Sequence, residues 1–248
     1  MPKVNILGVD IDSKPKKEIL EDLGFFLKSD RPHLITTPNP EILLQAQENQ
    51  ELRNILNKSD LAIPDGFGLI LASLYLKNKI KQRITGVDLM LDLCLLASQK
   101  NYSVYLLGGL GRVPEKTAIK LIKEYPSLKI AGYDNGFRGW GWRLSDSTII
   151  EKINRVKPDI LFVAYGAPKQ EKWLYHYLPK LKTVKIGMGV GGAFDYISGQ
   201  VKRAPLVMRK IGLEWLFRLY RQPWRFPRIV KATAYFSSEV LKNKRKIK

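Results

Sequence analysis

Acids, histidines and cysteines are scarce in this sequence. Asp and Glu number 23 against 42 Lys and Arg, for a formal net charge of +19. There is one cysteine, Cys94, which excludes an internal disulfide. Its setting in the apolar run "LMLDLCLLA" predicts a buried thiol in a reducing compartment. The two histidines, His33 and His176, come without a cysteine cluster, so no zinc ligand set is visible and no metal or other cofactor is expected. The opening "MPKVNILGVDID" has no apolar stretch of signal-peptide length. No uninterrupted apolar run reaches the ~18 residues of a membrane span, so no transmembrane helix is expected. A P-loop lysine motif and a Ser-His-Asp arrangement are missing too. Nothing repeats, and nothing is of low complexity before the tail "KNKRKIK".

What is present is a chain of 248 residues, 45% apolar, enough for one large domain or a domain with an appendage. The charge is uneven. From Tyr196 to Lys248 there are 14 Lys and Arg and two acids, Glu214 and Glu239. So local an excess points to a polyanionic partner: a nucleic acid, an anionic membrane or a diphosphate substrate.

Short apolar runs at 4–9, 33–37, 60–63, 103–108, 128–133, 159–166 and 183–190 read as strands, several apolar on both faces. Helical patterns lie between them, at about 15–28, 40–57, 66–77, 86–100, 114–125, 146–156 and 169–178. The alternation predicts an α/β fold, a Rossmann-like, mostly parallel sheet covered by helices. After residue 195 the chain changes character. Ile211, Trp215, Leu216 and Leu219 fall on one helical face, Arg218, Arg221 and Arg225 follow at helical spacing, and Pro223 interrupts. The expected division is a catalytic α/β domain over 1–195 and a helical, membrane-associating appendage over 196–248.

Four strand-to-helix junctions could carry chemistry. In "TTPNPEI", Asn39 can cap a helix that Pro40 begins, which is a sufficient structural reading alone; in the functional reading Thr37 and Asn39 point into the crevice where open α/β sheets bind ligands. In "IPDGFG", Pro64-Asp65-Gly66 makes a good turn by itself, yet it also presents a carboxylate near Thr37 if the two strands are neighbours. In "LLGGLGRVPEK", glycines including Gly109 free backbone N–H groups for an anion. Pro114 stands where the third glycine of a dinucleotide fingerprint belongs, which disfavours an NAD enzyme. In "AYGAPKQEKW", Lys169 and Gln170 could hold a sugar or phosphate, or Pro168 could simply start a helix whose Lys and Glu are solvated. "GMGVGGAFDYISG", with Asp195, lets backbone pass close to a ligand or a packed helix. "DID" at 10–12 matches a cation-binding D-x-D formally, though a turn explains it better.

Taken in order, "TPNPEI", "IPDGFG", "R-x-x-G-x-D-L-M", "YLLGG", "GAPKQEKW", "GVGGAFD" and "VKRAP…GLEWLFRL…PWR" resemble the WecG/TagA/CpsF family of bacterial glycosyltransferases over essentially the whole chain. The resemblance implies an inverting, metal-independent enzyme at the cytoplasmic face of the cell membrane. It would move a sugar, in the best-known cases N-acetylmannosamine, from a UDP-sugar to N-acetylglucosaminyl-diphospho-undecaprenol for teichoic acid or another surface polymer. A uronic acid or hexose donor stays open, and a homo-oligomer is compatible with it. It makes Asp65 the base and Thr37, Asn39, Arg83 and Gln170 substrate residues. It puts an aromatic for the uridine at Phe137, and Arg218, Arg225 and Arg228 on the diphosphate or lipid head. From another class, the basic, aromatic tail would suit nucleic acid. Its apolar helical face favours a membrane surface over nucleic acid.

Overall fold

The structure, a computed structural model, describes residues 3–138 and 142–247. Its strands are β1 (Lys3–Ile6), β2 (Val9–Asp12), β3 (His33–Thr36), β4 (Leu61–Ala62), β5 (Ser103–Gly108), β6 (Lys129–Asp134), β7 (Phe137–Arg138), β8 (Trp142–Arg143), β9 (Ile160–Ala164) and β10 (Ile186–Gly189). The chain is α/β and divides into two compact units. One comprises Met1–Pro15, Thr37–Thr85 and Lys202–Lys248; the other comprises Lys16–Thr36 and Gly86–Val201.

In the first unit, β1 and β2 form an antiparallel hairpin, not the single strand expected over 4–9. Leu7 and Gly8 both take positive φ (52° and 76°), the conformation of a two-residue hairpin turn whose twist matches the strands. "DID" therefore lies within β2. Asp12 is fully buried and accepts a 2.7 Å hydrogen bond from the Ala62 N–H; Asp10 accepts from Asn5 Nδ2. The Asp10 carboxylate ties the two strands of the hairpin together, and that of Asp12 attaches the hairpin to Ala62. The helix expected over 40–57 is two, Pro40–Glu48 and Gln50–Lys58, because the Asn49 side chain accepts from the Leu52 N–H and caps a new start. Leu43, Leu52, Ile55, Leu56, Leu61 and Ile63 are buried in this unit.

The C-terminal segment belongs to the same unit. The helix Leu206–Lys210 ends where Gly212 takes φ +80°, so Ile211 lies outside the helix Glu214–Arg221 that carries Trp215, Leu216 and Leu219. A Cβ at Gly212 would lie 2.7 Å from Cγ of Phe67, so the glycine lets this ring pack directly on the backbone. Pro223 opens a 3₁₀ turn, the expected interruption. The helix Phe236–Ile247 packs on the helices Pro40–Glu48 and Phe67–Tyr75, burying Phe236 and Val240. Between these anchors, Tyr220 (83% exposed) and Trp224 (72%) stand in solvent. Among the described residues no helix is long and apolar enough to cross a membrane.

In the second unit β3, β10, β9, β5 and β6 lie side by side in that order, all parallel. Leu106, Leu107, Leu161, Phe162, Val163 and Met188 are fully buried, as strands covered on both faces require. Helices Gly86–Lys100 and Val113–Glu124 pack on β5, and Lys169–Tyr177 packs on β9 and β10. Cys94 is buried as expected, and burial pushes its thiol pKa up.

Candidate active site

In the first unit the junctions at 37–40 and 64–66 meet. Asn39 is the N-cap of Pro40–Glu48, its Oδ1 accepting from the Ile42 N–H at 3.0 Å, with Pro40 at the first helical position. The Asp65 backbone N–H donates to the Pro38 carbonyl at 2.9 Å. Gly66, the next residue, takes φ +111°, and a Cβ there would lie 3.1 Å from Pro40 Cδ and 3.6 Å from Asn39 Cβ. The Pro-Asp-Gly turn is thus locked onto the cap that holds Thr37 and Asn39. Thr37 is buried and Asp65 is half-buried. Because the Ile42 N–H must face an oxygen, the Asn39 amide is oriented with Nδ2 away from the cap.

Arg83 is committed to the C-terminal segment. Nη1 donates to the Arg209 carbonyl at 3.0 Å and Nη2 to Glu214 Oε2 at 2.9 Å. Arg203 approaches the other Glu214 oxygen at 3.5 Å and donates to Thr85 Oγ1. Glu214, which no sequence argument singled out, therefore lies between two arginines in the first turn of the helix carrying Arg218 and Arg221. The side chains of Arg225, Arg228 and Phe137 lie outside the described residues.

In the second unit three strand ends converge. Gly108 takes φ +103°, and a Cβ there would sit 2.7 Å from the Ala164 backbone, where β9 ends. The Gly109 N–H donates to the Ala164 carbonyl at 3.2 Å. Gln170 Oε1 accepts from the backbone N–H of both Gly166 (3.1 Å) and Gly191 (2.9 Å), the loops after β9 and β10. Gln170 Nε2 donates to Glu171 Oε1. Glu171 is not solvated on a helix face: it is 1% exposed, and burial pushes its pKa up. Asp195 is half-buried in the short helix Ala193–Ile197 after β10. Asp134, at the end of β6, pairs with Lys152 at 2.5 Å. Asn39 in the first unit and Gln170 in the second each spend the amide oxygen on backbone N–H and keep N–H to offer to an oxygen acceptor.

The model of the glycosyl transferase WecG/TagA/CpsF family matches residues 4–248. The chain belongs to this family. It is accordingly a glycosyltransferase, and the transferase reading of the sequence stands over the nucleic-acid and NAD readings. It is similar, at 36% identity over 214 residues (86% of this chain and 81% of the other), to the N-acetylglucosaminyldiphosphoundecaprenol N-acetyl-beta-D-mannosaminyltransferase of Bacillus subtilis (strain 168). A Staphylococcus aureus (strain MRSA252) protein of the same name is 35% identical over a 249-residue alignment, covering 99% of this chain and 95% of the other.

Proposed function

We propose that the protein transfers N-acetylmannosamine from UDP-N-acetylmannosamine to N-acetylglucosaminyl-diphospho-undecaprenol, with inversion, in the building of a cell-surface polymer such as wall teichoic acid. The relatives' names carry the acceptor, the sugar and its β linkage. A β product from an α-linked nucleotide donor needs a single displacement. The acceptor hydroxyl bonds to the anomeric carbon, the bond from that carbon to the diphosphate breaks, and UDP leaves.

Asp65 takes the proton of the attacking hydroxyl. A sugar alcohol is a weak nucleophile at neutral pH, and a carboxylate within ~3 Å of it typically adds ~10²–10⁴ to the rate. The observation that supports this assignment is the 2.9 Å bond from the Asp65 N–H to the Pro38 carbonyl, which joins the turn carrying the acid to the segment of Thr37 and Asn39. Donors from Asn39 and Gln170 and the freed N–H groups near Gly109 hold sugar and phosphate oxygens. Asp195 contacts the donor sugar, and an aromatic at Phe137 would stack on uracil. Arg218, Arg225 and Arg228 meet the charge that grows on the leaving diphosphate, a role their planar forks suit, with no metal required. Arg83 acts by holding the segment that carries them. Residues 196–248 form the membrane-facing part of an enzyme working at the cytoplasmic face of the membrane, a reading supported by exposed Tyr220 and Trp224 among arginines.

The test is purified enzyme with a panel of UDP-sugars and a short-chain diphospholipid acceptor, read by UDP release and by the anomeric configuration of the product. A β-N-acetylmannosaminyl product is expected. Turnover with a uronic acid or hexose donor instead would reassign the sugar, and a retained α configuration would remove the single displacement.

A further inference from the structure

The hydrogen bonds of Gln170 and Glu171 leave two groups over, one Gln170 N–H and Glu171 Oε2. A carboxamide has one oxygen, able to accept twice, and two N–H donors. The Gln170 oxygen is filled by the Gly166 and Gly191 N–H groups, and one N–H goes to Glu171 Oε1 at 2.9 Å. Turning the amide over would set its NH₂ against two backbone donors. A Cβ at Gly189 would lie 2.8 Å from Gln170 Nε2, so a bare backbone lets the amide lie against the end of β10. Glu171 Oε2 is buried and has no hydrogen-bond partner among the described residues.

We infer that Glu171 is a positioning residue: it holds the Gln170 carboxamide so that its oxygen ties the loops after β9 and β10 and its remaining N–H faces an oxygen of the sugar nucleotide. This rests on the glycosyl-transfer reading of the site. A carboxyl group kept protonated suits the task. It still accepts through its carbonyl oxygen, and it adds no negative charge near a diphosphate. Burial drives the pKa in that direction, against the opposing pull of the hydrogen bonds from Gln170 and from Glu171's own backbone.

The linkage has a definite sign. The folded pKa lies above the unfolded value of about 4.3, so Glu171's contribution to stability is full below that pH and is lost as pH rises through the folded pKa. Glu171→Gln is neutral at every pH and nearly the same shape. Its melting temperature, relative to wild type, should therefore climb as pH rises above the unfolded value, because burial raises the folded pKa. It should also retain the transfer rate within about threefold. Glu171→Leu should lose about 10- to 100-fold in kcat/KM. In a Gln170→Ala background the Leu change should cost almost nothing further, because the group it positions is already gone. The ¹⁵N spectrum gives a readout independent of turnover. The Gln170 side-chain NH₂ should show two separate, slowly exchanging protons in wild type and Glu171→Gln, and should lose them in Glu171→Leu.

A Glu171→Leu loss that persists in full in the Gln170→Ala background would overturn the inference. So would unchanged Gln170 NH₂ signals in Glu171→Leu, or a pH-independent difference in melting temperature between wild type and Glu171→Gln. If Glu171→Leu does not fold, that melting comparison still decides. If the wild type moves no sugar from any UDP donor, the proposed function fails, while the spectrum and the melting curves still judge Glu171.

Discussion

Arg83 and Glu214, 131 residues apart in sequence, are joined by a 2.9 Å hydrogen-bonded ion pair, and their side chains are 16% and 19% exposed. The same arginine holds the Arg209 carbonyl. One guanidinium thus grips both the last turn of the helix Leu206–Lys210 and the first residue of the helix Glu214–Arg221. Glu214→Ala would remove the carboxylate that Arg83 and Arg203 both approach. A cost of about 1–3 kcal/mol is expected, below the figure for a fully buried pair because of the residual exposure. Urea denaturation measures it. Limited proteolysis should cut residues 202–248 faster in the variant, and the Arg83→Glu/Glu214→Arg exchange should recover part of the loss.

Asp65→Asn should keep the fold, and the bond to Pro38, which uses the backbone N–H, should remain. Transfer should fall by about 10²–10⁴, with UDP-sugar binding retained. Single-turnover kinetics with calorimetric titration of UDP-sugar separate the two. A variant as fast as wild type would reduce Asp65 to a turn residue.

Gly66→Ala tests the geometry instead of the acid. Its φ of +111° disfavours any side chain, and the new Cβ would press Pro40 Cδ at 3.1 Å. The strain is worth about 1–3 kcal/mol. The melting temperature should fall, and kcat should fall further than stability alone explains, because the displaced residue is the neighbour of Asp65, the proposed base.

Replacing Tyr220 and Trp224 together by Ser should weaken binding to vesicles containing anionic lipid by about tenfold or more, while leaving UDP-sugar binding in solution unchanged. Flotation at several salt concentrations measures it. Raising salt should weaken the wild type too, at about 1 kcal/mol for each basic residue near the surface.

EDTA should leave the transfer rate intact, since arginines and backbone N–H groups are assigned the diphosphate charge. A rate abolished by chelation and restored by Mg²⁺ would return that task to a metal ion.

Much of this was legible in local chemistry. Pro40 after Asn39 announced a capped helix, and the helices 86–100 and 146–156 begin and end where their patterns do. The meeting of the loops after β5, β9 and β10 followed from parallel order. What escaped was decided by groups distant in sequence or by single backbone choices. Leu7 has the wrong side chain to advertise a positive φ, so the hairpin read as one strand. Asn49 sits within continuous helical periodicity, and only its side-chain bond to Leu52 reveals the break. A glutamate in a first helical turn is ordinarily a surface residue; Glu171 is buried because the helix Lys169–Tyr177 packs on β9 and β10. Glu214 looked like a stray acid in a basic tail until Arg83 and Arg203 were seen on either side of it.

The burial of Phe236 and Val240 bears on how the exposed stretch before them can move. Pinned at Glu214 upstream and seated by these two side chains downstream, the intervening chain is a span fastened at both ends, not a loose tail. A lipid surface that grips Tyr220 and Trp224 can bow this span but cannot carry it off, so any pull there is delivered to the helices Pro40–Glu48 and Phe67–Tyr75, which flank Asp65.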